Sequence, residues 1–272
     1  MSTTLNEIDY AAFEQIRHWL NRKCGMYYPD KKQELLLDRM QYVCKRYYLN
    51  DISALAENLN NEDATELQLA VISAASTNHT YFFRECAVLD YYRDVILPTF
   101  KNNNDNRIWS AAASTGDEAY TVAMITAEQQ GLTWTKQNVT ILGSDISAPV
   151  IEDAEKGIYQ QSHLEHVPEA ILKRYFEKVD FDQYQVNQDI RSICTFRRMN
   201  LKARIYPFRG QFDVVFCRNV LYYFDEQTQQ DIVENIYDVT KSGGWFLSSV
   251  TDSLRHLKTR WVQVDSGIYR KK

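Results

Sequence analysis

The run Ser110–Glu118 has the composition of a ligand-binding turn, because a short apolar stretch enters small residues and then a helix start. Small residues let a ligand approach the backbone closely, and the first turn of a helix offers unpaired N–H groups. The run lacks the GxGxxG pattern, and the carboxylates of Asp117 and Glu118 would repel a pyrophosphate. The turn therefore favours a ligand with hydroxyls or a positive charge, although a capped helix start without a ligand explains the same residues.

A single acidic residue, Asp145, ends another short apolar run further along the chain. A carboxylate at the end of the second strand of a sheet is placed to accept hydrogen bonds from both ribose hydroxyls of an adenosine group. The alternative is a loop aspartate that only caps the helix after it. Both interpretations stay open from the residues alone.

Polar residues also follow a third apolar run, within Cys217–Asp225. Arg218 and Asn219 come directly after a predicted buried strand, so they point to the same cleft as Asp145. A tyrosine close to them could position a substrate. For Tyr222 and Phe224, packing in the core is the favoured interpretation.

Strands and helices alternate around these three segments, which predicts an α/β fold with a mostly parallel sheet wound on both faces. A helix over Asp117–Gln130, closed by Gly131, follows the first strand, and Ser147 can cap the next helix. Near the end, Trp261–Val264 and Ile268–Arg270 flank a turn and predict an antiparallel hairpin. The predicted buried strands are Ile108–Ala113, Val139–Gly143, Phe212–Cys217 and Gly244–Val250. The order of the small-residue turn, the acidic strand end and the polar strand end is similar to the plan of class I methyltransferases that use S-adenosylmethionine (SAM).

The first 75 residues are predicted to form a separate helical unit. Apolar residues recur at helical spacing in three stretches, each with a suitable cap or stop signal. These stretches are a first helix with Phe13, Ile16 and Leu20 that stops at Gly25, a second over residues 31–48 with Leu36, Met40, Val43 and Tyr47, and a third with Leu67, Val71 and Ala74 after a cap at Asn61, Glu62 and Asp63.

Two intermediate segments complete the predicted organisation. A helix after Glu85 should stop or kink near Pro98, and the polar run Lys101–Arg107 should be an exposed loop. Phe181–Met199 fits neither period well but allows a small antiparallel β insertion. The predicted domains are therefore 1–75 and 76–272, with the insertion at 181–199.

Composition excludes several classes of protein. The formal net charge of −5 argues against a broad phosphate-binding surface, so no nucleic-acid partner is expected. No segment has about 20 consecutive apolar residues, and the first ten residues do not resemble a signal peptide, so we expect a cytoplasmic protein without membrane insertion. Five scattered cysteines suit free thiols in a reducing compartment. His163 and His166 lack further ligands in a metal pattern and are predicted to lie in a surface loop, so no metal site is expected.

Four ordered stretches resemble one family, the CheR chemotaxis receptor methyltransferases. Together with the helical amino-terminal part they cover nearly the whole chain. The stretches are Thr77–Glu85, Trp109–Glu118, Ser144–Ile146 through Gly157–Tyr159, and Phe216–Val220 through Phe224–Asp225.

The resemblance implies a SAM-dependent O-methyltransferase that acts on glutamate side chains of a methyl-accepting chemoreceptor. It also implies a helical domain for receptor contact, a SAM-binding catalytic domain and the small β subdomain. Arg84 and Tyr223 would lie nearest the transferred methyl group. The residues implied for binding SAM, or its product S-adenosylhomocysteine (SAH), are Asn78, Thr80, Arg84, Ala112, Glu118, Asp145, Asn200, Leu201, Arg218 and Asn219.

The partner implied is the cytoplasmic helical domain of the receptor. Lys32, Arg39 and Arg46 are spaced by seven along one edge of the second helix and could meet its acidic helices. Solvated charges beside an amphipathic helix explain the same spacing without a receptor. The chain departs from the family at Ala119, where proline is usual, and at Ser249–Asp252, where a His-Ser-Glu-like stretch is usual.

Two other functions stay open. One is a methyltransferase for a small molecule or a nucleic acid, which the acidic net charge makes less attractive for nucleic acid. The other is a SAM-binding regulator or scaffold that no longer transfers a methyl group. Arg84 also has a purely structural interpretation, in which it ties the linker between the domains to the catalytic domain.

Overall fold

The computed structural model describes residues 7–61, 63–102 and 105–272 and divides into two compact units. The first contains the residues up to Thr77 together with Tyr223–Thr228, and the second contains Asn78–Tyr222 and Gln229–Lys272. The predicted division after residue 75 did not include the second segment of the first unit. A six-residue segment gives no composition signal of its own, so the sequence could not assign it to the helical unit.

The first unit is helical, as the apolar spacing predicts. Helix α1 packs against α3, and α2 packs against α4. Phe13, Ile16 and Leu20 of α1 are completely buried, and Gly25 directly after the helix has a positive φ that suits a helix stop. The helices are α1 Glu7–Cys24, α2 Gln33–Arg46, α3 Ile52–Leu59 and α4 Thr65–Ala75, with a 3₁₀ turn at Asp30–Lys32 before α2.

Two helix predictions in this unit were inaccurate. Helix α3 was not predicted, although Asp51 is its N-cap and accepts a hydrogen bond from the Ala54 N–H at 2.8 Å. Helix α4 starts at Thr65, later than the predicted cap at Asn61–Asp63, because Asn61 instead accepts a local turn bond from the Asp63 N–H. Glu62 of that predicted cap lies outside the described residues.

The segment after Glu85 remains helical but changes its hydrogen-bond pattern. Helix α5, Cys86–Tyr91, continues into a π-helical turn at Tyr92–Ile96 and a 3₁₀ helix at Leu97–Asn102. The α-helical hydrogen bonding thus ends before Pro98, near which the helix was predicted to stop or kink. The predicted loop at Lys101–Arg107 was too long at both ends, because the 3₁₀ helix continues to Asn102 and a strand begins at Asn106. Residues 103–104 of that loop lie outside the described residues.

The second unit contains a seven-stranded sheet in the order β6-β2-β1-β7-β8-β10-β9. The first five strands in this order run parallel, and β10 pairs antiparallel with both β8 and β9. The doubly wound sheet and its antiparallel hairpin are thereby confirmed. The strands are β1 Asn106–Ser110, β2 Val139–Asp145, β6 Cys194–Arg198, β7 Phe212–Phe216, β8 Thr240–Leu247, β9 Val262–Asp265 and β10 Ile268–Arg270. The helices between them are α6 Asp117–Gln130, α7 Leu132–Asn138, α8 Ala148–Lys156, α9 Glu169–Tyr175, α10 Gln188–Arg191 and α11 Glu226–Asp238.

A separate three-stranded antiparallel sheet is present in this unit, but its extent differs from the predicted 181–199. It consists of β3 Ile158–Gln160, β5 Gln183–Val186 and β4 Phe176–Lys178, in that order. The later part of the predicted insertion, Cys194–Arg198, is β6 and pairs parallel with β2. As an edge strand, β6 has Phe196 as its one buried residue, so it lacks the continuous apolar run that marks a central parallel strand.

A large apolar cluster lies in this unit, and its residues on the large sheet share one face. It includes Phe82, Ile108, Tyr120, Val214 and Leu247, all completely or almost completely buried. None of the helices within residues 7–61, 63–102 and 105–272 is both long and apolar enough to cross a membrane. The fold therefore presents the carboxyl ends of β1, β2 and β7 at one edge of the parallel sheet.

Candidate functional site

The turn between β1 and α6 is built from small residues for a reason of packing. Gly116 has φ +92°, and a Cβ placed on it would lie 3.0 Å from the Ala154 Cβ and 3.1 Å from the Phe196 ring. Ser114 also has a positive φ of 48°. Small residues at this turn were predicted to admit a ligand, but at Gly116 the close neighbours are the chain's own side chains.

Asp145 ends β2 beside this turn and holds it by hydrogen bonds. Its Oδ2 accepts the Ser114 N–H at 3.0 Å, and its Oδ1 accepts the N–H of Ser147, the N-cap position of α8, at 3.0 Å. Burial raises the pKa of Asp145, while these backbone N–H groups lower it. Each carboxylate oxygen can accept a further hydrogen bond, so the helix-end role and the predicted role toward a ribose are compatible.

Arg218 lies directly after β7 and is almost fully buried, with 6% of its surface exposed. Its Nη1 donates to the Glu118 Oε2 at 3.0 Å, and its Nη2 lies 3.5 Å from the Glu85 Oε2. Glu118 also accepts a hydrogen bond from the Ser110 Oγ at 2.6 Å. The two predicted residues Glu118 and Arg218 thus form one buried ion pair at the edge of the sheet.

Glu85 is a member of this cluster that the sequence interpretation did not assign to the site. Its Oε1 accepts a hydrogen bond from the Asn219 Nδ2 at 2.8 Å, and its backbone has φ +58°. Asn219 itself has φ +57°, and its N–H donates to the Ser249 Oγ at 3.3 Å. The available signal was a carboxylate directly after Arg84, in one of the four stretches that carry the resemblance.

Arg84 makes its described side-chain contacts within its own segment. Its Nη1 donates to the His79 backbone oxygen at 2.8 Å, and its guanidinium lies 5.6 Å from the centre of the Tyr81 ring. Its backbone oxygen accepts a hydrogen bond from the Arg218 Nη2 at 2.5 Å. The main chain of Arg84 is therefore joined to the cluster of Glu85, Glu118, Arg218 and Asn219.

The other predicted cofactor residues lie on segments that lead to the same sheet. The Asn78 backbone oxygen accepts a hydrogen bond from the Ser114 Oγ at 3.3 Å, which ties this segment to the β1–α6 turn. Asn200 and Leu201 follow the edge strand β6; Asn200 accepts the Lys202 N–H at 3.0 Å, and Leu201 is buried. Thr80 and Ala112 are half-buried.

Tyr223 belongs to the first unit rather than to the sheet unit. Its backbone oxygen accepts the Tyr27 N–H at 2.7 Å, and the Lys32 Nζ lies 5.7 Å from the centre of its ring. The neighbouring Phe224 is buried, as predicted, but Tyr222 is 43% exposed, so its predicted core position was wrong. In the 3₁₀ turn Leu221–Tyr223 it is Leu221 that is buried.

Of the three predicted receptor-contact residues, Arg39 has a structural role within the helical unit. Its Nη1 donates to the backbone oxygens of Ala75 at 2.8 Å and Ser76 at 3.3 Å, where α4 ends. It also donates to the Tyr28 Oη at 3.1 Å and, through its Nη2, to the Thr77 Oγ1 at 3.0 Å. Arg46 lies two heptads after Lys32 in the sequence. It is exposed at the end of α2.

The contrast between Arg39 and Arg46 gives a stability prediction. Arg39→Ala leaves backbone oxygens at the end of α4 without their charged donor, so we expect the free energy of unfolding to fall by about 1–3 kcal/mol. Arg46→Ala on the same helix is the matched control and should change it by less than about 0.5 kcal/mol. Urea unfolding followed by circular dichroism checks both values, and equal effects of the two substitutions would contradict the structural role.

Asp117 was expected only to repel a pyrophosphate, but the structure pairs it with a histidine. Asp117 is completely buried, and its Oδ1 lies 2.5 Å from the His163 Nε2. The Thr115 Oγ1 donates to its Oδ2 at 2.6 Å, and the Tyr159 ring stacks on His163 at 5.4 Å. His163 is thus a half-buried partner of the β1–α6 turn rather than a residue of a surface loop, while His166 is exposed.

This pair predicts a pH dependence of stability. The hydrogen bond to Asp117 raises the pKa of His163 above its ordinary value of 6.5. A raised folded-state pKa means that the stabilisation is complete below about pH 6.5 and is lost as the pH rises through the folded-state value. We expect the melting temperature of the native chain to fall relative to that of His163→Gln between about pH 6 and about pH 9. His256→Gln is the control, since the exposed His256 contacts the neutral Gln229; parallel profiles for the native chain and His163→Gln would refute the prediction.

The sheet order and the polar cluster at the carboxyl ends of β1, β2 and β7 define the class of protein: a Rossmann-like methyltransferase fold of the SAM-dependent type. The family model described as "CheR methyltransferase, SAM binding domain" matches residues 78–269, and the chain belongs to the CheR methyltransferase family.

Curated relatives are similar over most of their length. A chemotaxis protein methyltransferase of Borreliella burgdorferi is 32% identical over 241 residues, covering 85% of this chain and 84% of the relative. A chemotaxis protein methyltransferase of Escherichia coli is 31% identical, covering 95% of this chain and 90% of the relative. Chemotaxis protein methyltransferase 1 of Pseudomonas aeruginosa is 32% identical, with 96% and 98% covered.

The residues at this edge of the sheet fit the cofactor that the family domain implies. SAM carries ribose hydroxyls, a sulfonium, and an amino acid with both an ammonium and a carboxylate group. Two carboxylates at this edge, Asp145 and Glu118, are acceptors of the kind that hydroxyls and cationic groups require. The Arg218 Nε and the Glu85 Oε2 are buried without a hydrogen-bond partner in the described part of the chain, and such groups suit a bound zwitterion.

Proposed function

We propose that this chain methylates glutamate side chains on the cytoplasmic helical domain of a methyl-accepting chemoreceptor. The products would be glutamate methyl esters and SAH. The observation that carries the proposal is that the family match over residues 78–269 includes every residue of the cluster around Arg218. The names of the relatives, chemotaxis protein methyltransferases, support the same kind of substrate.

The proposed cofactor site combines carboxylates with arginine and neutral side chains. Asp145 would accept the ribose hydroxyls, and Glu118 with Arg218 would hold the amino-acid end, because their charges suit an ammonium and a carboxylate. The residues proposed to complete the site are Asn78, Thr80, Arg84, Ala112, Asn200, Leu201 and Asn219.

The proposed reaction requires little acid–base catalysis by the protein. When bound, SAM supplies a methyl group on a positively charged sulfur, which is electrophilic without further activation. A glutamate side chain, with an unperturbed pKa of about 4.3, is already a carboxylate at neutral pH, so no general base is needed.

Positioning of the carboxylate is then the main catalytic task. Correct orientation of two reactants can contribute about 7–11 kcal/mol. We assign this role to Arg84, whose guanidinium suits a carboxylate, and to Tyr223, which can donate a hydrogen bond. No covalent intermediate with the protein is required.

The proposed receptor surface is the edge of α2 that carries Lys32, Arg39 and Arg46. A basic edge complements the acidic helices that would carry the substrate glutamates. Because Arg39 is engaged in hydrogen bonds to residues 75–77, Lys32 and Arg46 are the main candidates for direct contact. The enzyme would act from the cytoplasm, without inserting into the membrane and without a nucleic-acid partner.

Transfer of labelled methyl groups tests the proposal. The purified chain is incubated with labelled SAM and the cytoplasmic fragment of a receptor from the same cell, and the label should enter the fragment. A methyl ester is released by mild base as methanol, and replacing the labelled glutamates by glutamine should abolish incorporation. A chain that binds SAH but labels no receptor would contradict the proposal and favour a SAM-binding regulator. Label in small molecules or nucleic acid would instead favour another substrate.

A further inference from the structure

The loop after β8 carries a buried carboxylate at the point where the sequence departs from the family's His-Ser-Glu-like stretch. Asp252 is only 4% exposed. Its Oδ2 accepts the Val220 N–H at 3.1 Å, and its Oδ1 accepts the Tyr222 N–H at 3.3 Å. One side chain therefore holds two backbone amides of the turn that follows β7 and Asn219.

Ser249 in the same loop strengthens this arrangement. Its Oγ donates to the Asp252 Oδ2 at 2.9 Å and accepts the Asn219 N–H at 3.3 Å. Burial raises the pKa of Asp252, and the bonds from Ser249 and from the backbone N–H groups of this turn lower it. Several hydrogen bonds aimed at one carboxylate stabilise its charged form, so the charge is used to fix the backbone.

A second carboxylate, Glu85, contacts the side chains of Arg218 and Asn219, the two residues before Val220. It accepts from the Asn219 Nδ2 at 2.8 Å and lies 3.5 Å from the Arg218 Nη2. Arg218 is anchored again by Glu118 at 3.0 Å. The segment 218–222 is thus held in two ways. Glu85 and Glu118 hold the side chains of its first two residues, and Asp252 holds the backbone N–H groups of Val220 and Tyr222.

We propose that Asp252 is a positioning residue for methyl transfer. It fixes the Val220–Tyr222 backbone and so orients Tyr223, the next residue in the chain, while Glu85 separately positions Arg218 and Asn219 for cofactor binding. This inference rests on the proposed function, because it assigns Tyr223 to the acceptor side of the reaction. It predicts that loss of the two carboxylates affects two different steps.

Two substitutions separate these steps. Asp252→Asn keeps the shape but places an amide N–H₂ or a weaker acceptor before the Val220 and Tyr222 N–H groups, so kcat should fall about tenfold or more. The Kd for SAH should stay within about threefold, because Glu85 and Glu118 still hold Arg218 and Asn219. Glu85→Gln should instead raise the Kd for SAH by about tenfold. Asp182→Asn, at an exposed position, is the matched control and should change neither quantity.

Amide hydrogen exchange gives a readout that does not depend on activity. Asp252→Asn should speed exchange at Val220 and Tyr222, whereas Glu85→Gln should leave these two amides protected. Should Asp252→Asn fail to fold, Ser249→Ala removes one bond to Asp252 and should shift kcat and exchange in the same direction by a smaller factor.

The two kinds of failure are distinguishable. A native chain that binds SAH but transfers no methyl to a receptor contradicts the proposed function. A native chain that is active, with an Asp252→Asn variant that keeps full kcat or loses kcat and SAH affinity in equal proportion, overturns the inference about Asp252.

Discussion

Asp145→Asn is expected to weaken the binding of SAH by at least about 100-fold. A hydrogen bond to a charged group contributes about 1.5–3 kcal/mol, and two ribose hydroxyls would donate to this carboxylate. Two such bonds correspond to about 10²- to 10⁴-fold in affinity, and the amide retains only part of the acceptor capacity. Isothermal titration of SAH into the native chain and the variant measures the difference.

The control for this prediction must distinguish a loss of SAH affinity from a loss of folded structure. Asp145 also accepts the N–H groups of Ser114 and Ser147, so the variant's melting temperature is measured in parallel. Asp153→Asn, on the exposed side of α8 where the carboxylate pairs only with Lys156 at 3.0 Å among its described ion pairs, should leave SAH binding unchanged. A folded Asp145→Asn variant with near-native affinity would remove the carboxylate from the proposed site.

Arg84→Ala is expected to lower kcat for receptor methylation by about 10²-fold or more. A displacement of about 1 Å in a reacting group can cost this factor, and Arg84 is the cation proposed to hold the substrate carboxylate. Arg84→Lys should recover only part of the rate, because lysine keeps the charge but not the planar fork of donors. Single-turnover transfer of labelled methyl groups at saturating SAM isolates this step from cofactor affinity.

If Arg84 instead only stabilises its own segment, a different result is expected. Its described side-chain contacts, to His79, Tyr81 and Glu85, are all local. If these contacts were its whole role, Arg84→Ala would lower the melting temperature while saturating SAM restored most of kcat. Arg93→Ala, which removes surface pairs with Asp90 and Asp94, is the control for a general loss of charge.

The large sheet was predictable because its central strands are buried on both faces. Such strands read as continuous apolar runs, and those at β1, β2 and β7 stand out between helices of ordinary length. The edge strand β6 was misassigned, since Phe196 is its one buried residue and it lacks the continuous apolar run of a central strand. The short helices α3 and α7 were not predicted, because fewer than three turns give a weak periodic signal.

The candidate site was predictable where position in the fold determines function. Asp145 and Arg218 were singled out because they lie at the ends of strands of a parallel sheet, whose carboxyl ends meet at one edge, whereas the role of Glu118 came from the family resemblance. Glu85 could not be connected to Asn219 in this way, since 134 residues separate them. The pairing of Asp117 with His163, 46 residues apart, likewise depends on tertiary packing that no local pattern reports.

The place of Tyr223 shows a further limit of sequence reasoning. Tyr223 lies in the sequence between β7 and α11, so a single domain boundary along the chain assigns it to the sheet unit. Its backbone bond to Tyr27 and its position beneath Lys32 join it to the helical unit instead. A residue proposed for catalysis is therefore held by the same unit that is proposed to contact the receptor.

A crystal structure with bound SAH tests most directly the claim that adenosine binds where β1 and β2 end. We predict ribose hydroxyls within hydrogen-bond distance of the Asp145 carboxylate, and the amino-acid end of the ligand beside Glu118 and Arg218. Nucleoside density elsewhere on the chain, or an Asp145 carboxylate that faces only Ser114 and Ser147 while SAH is bound, would contradict this account.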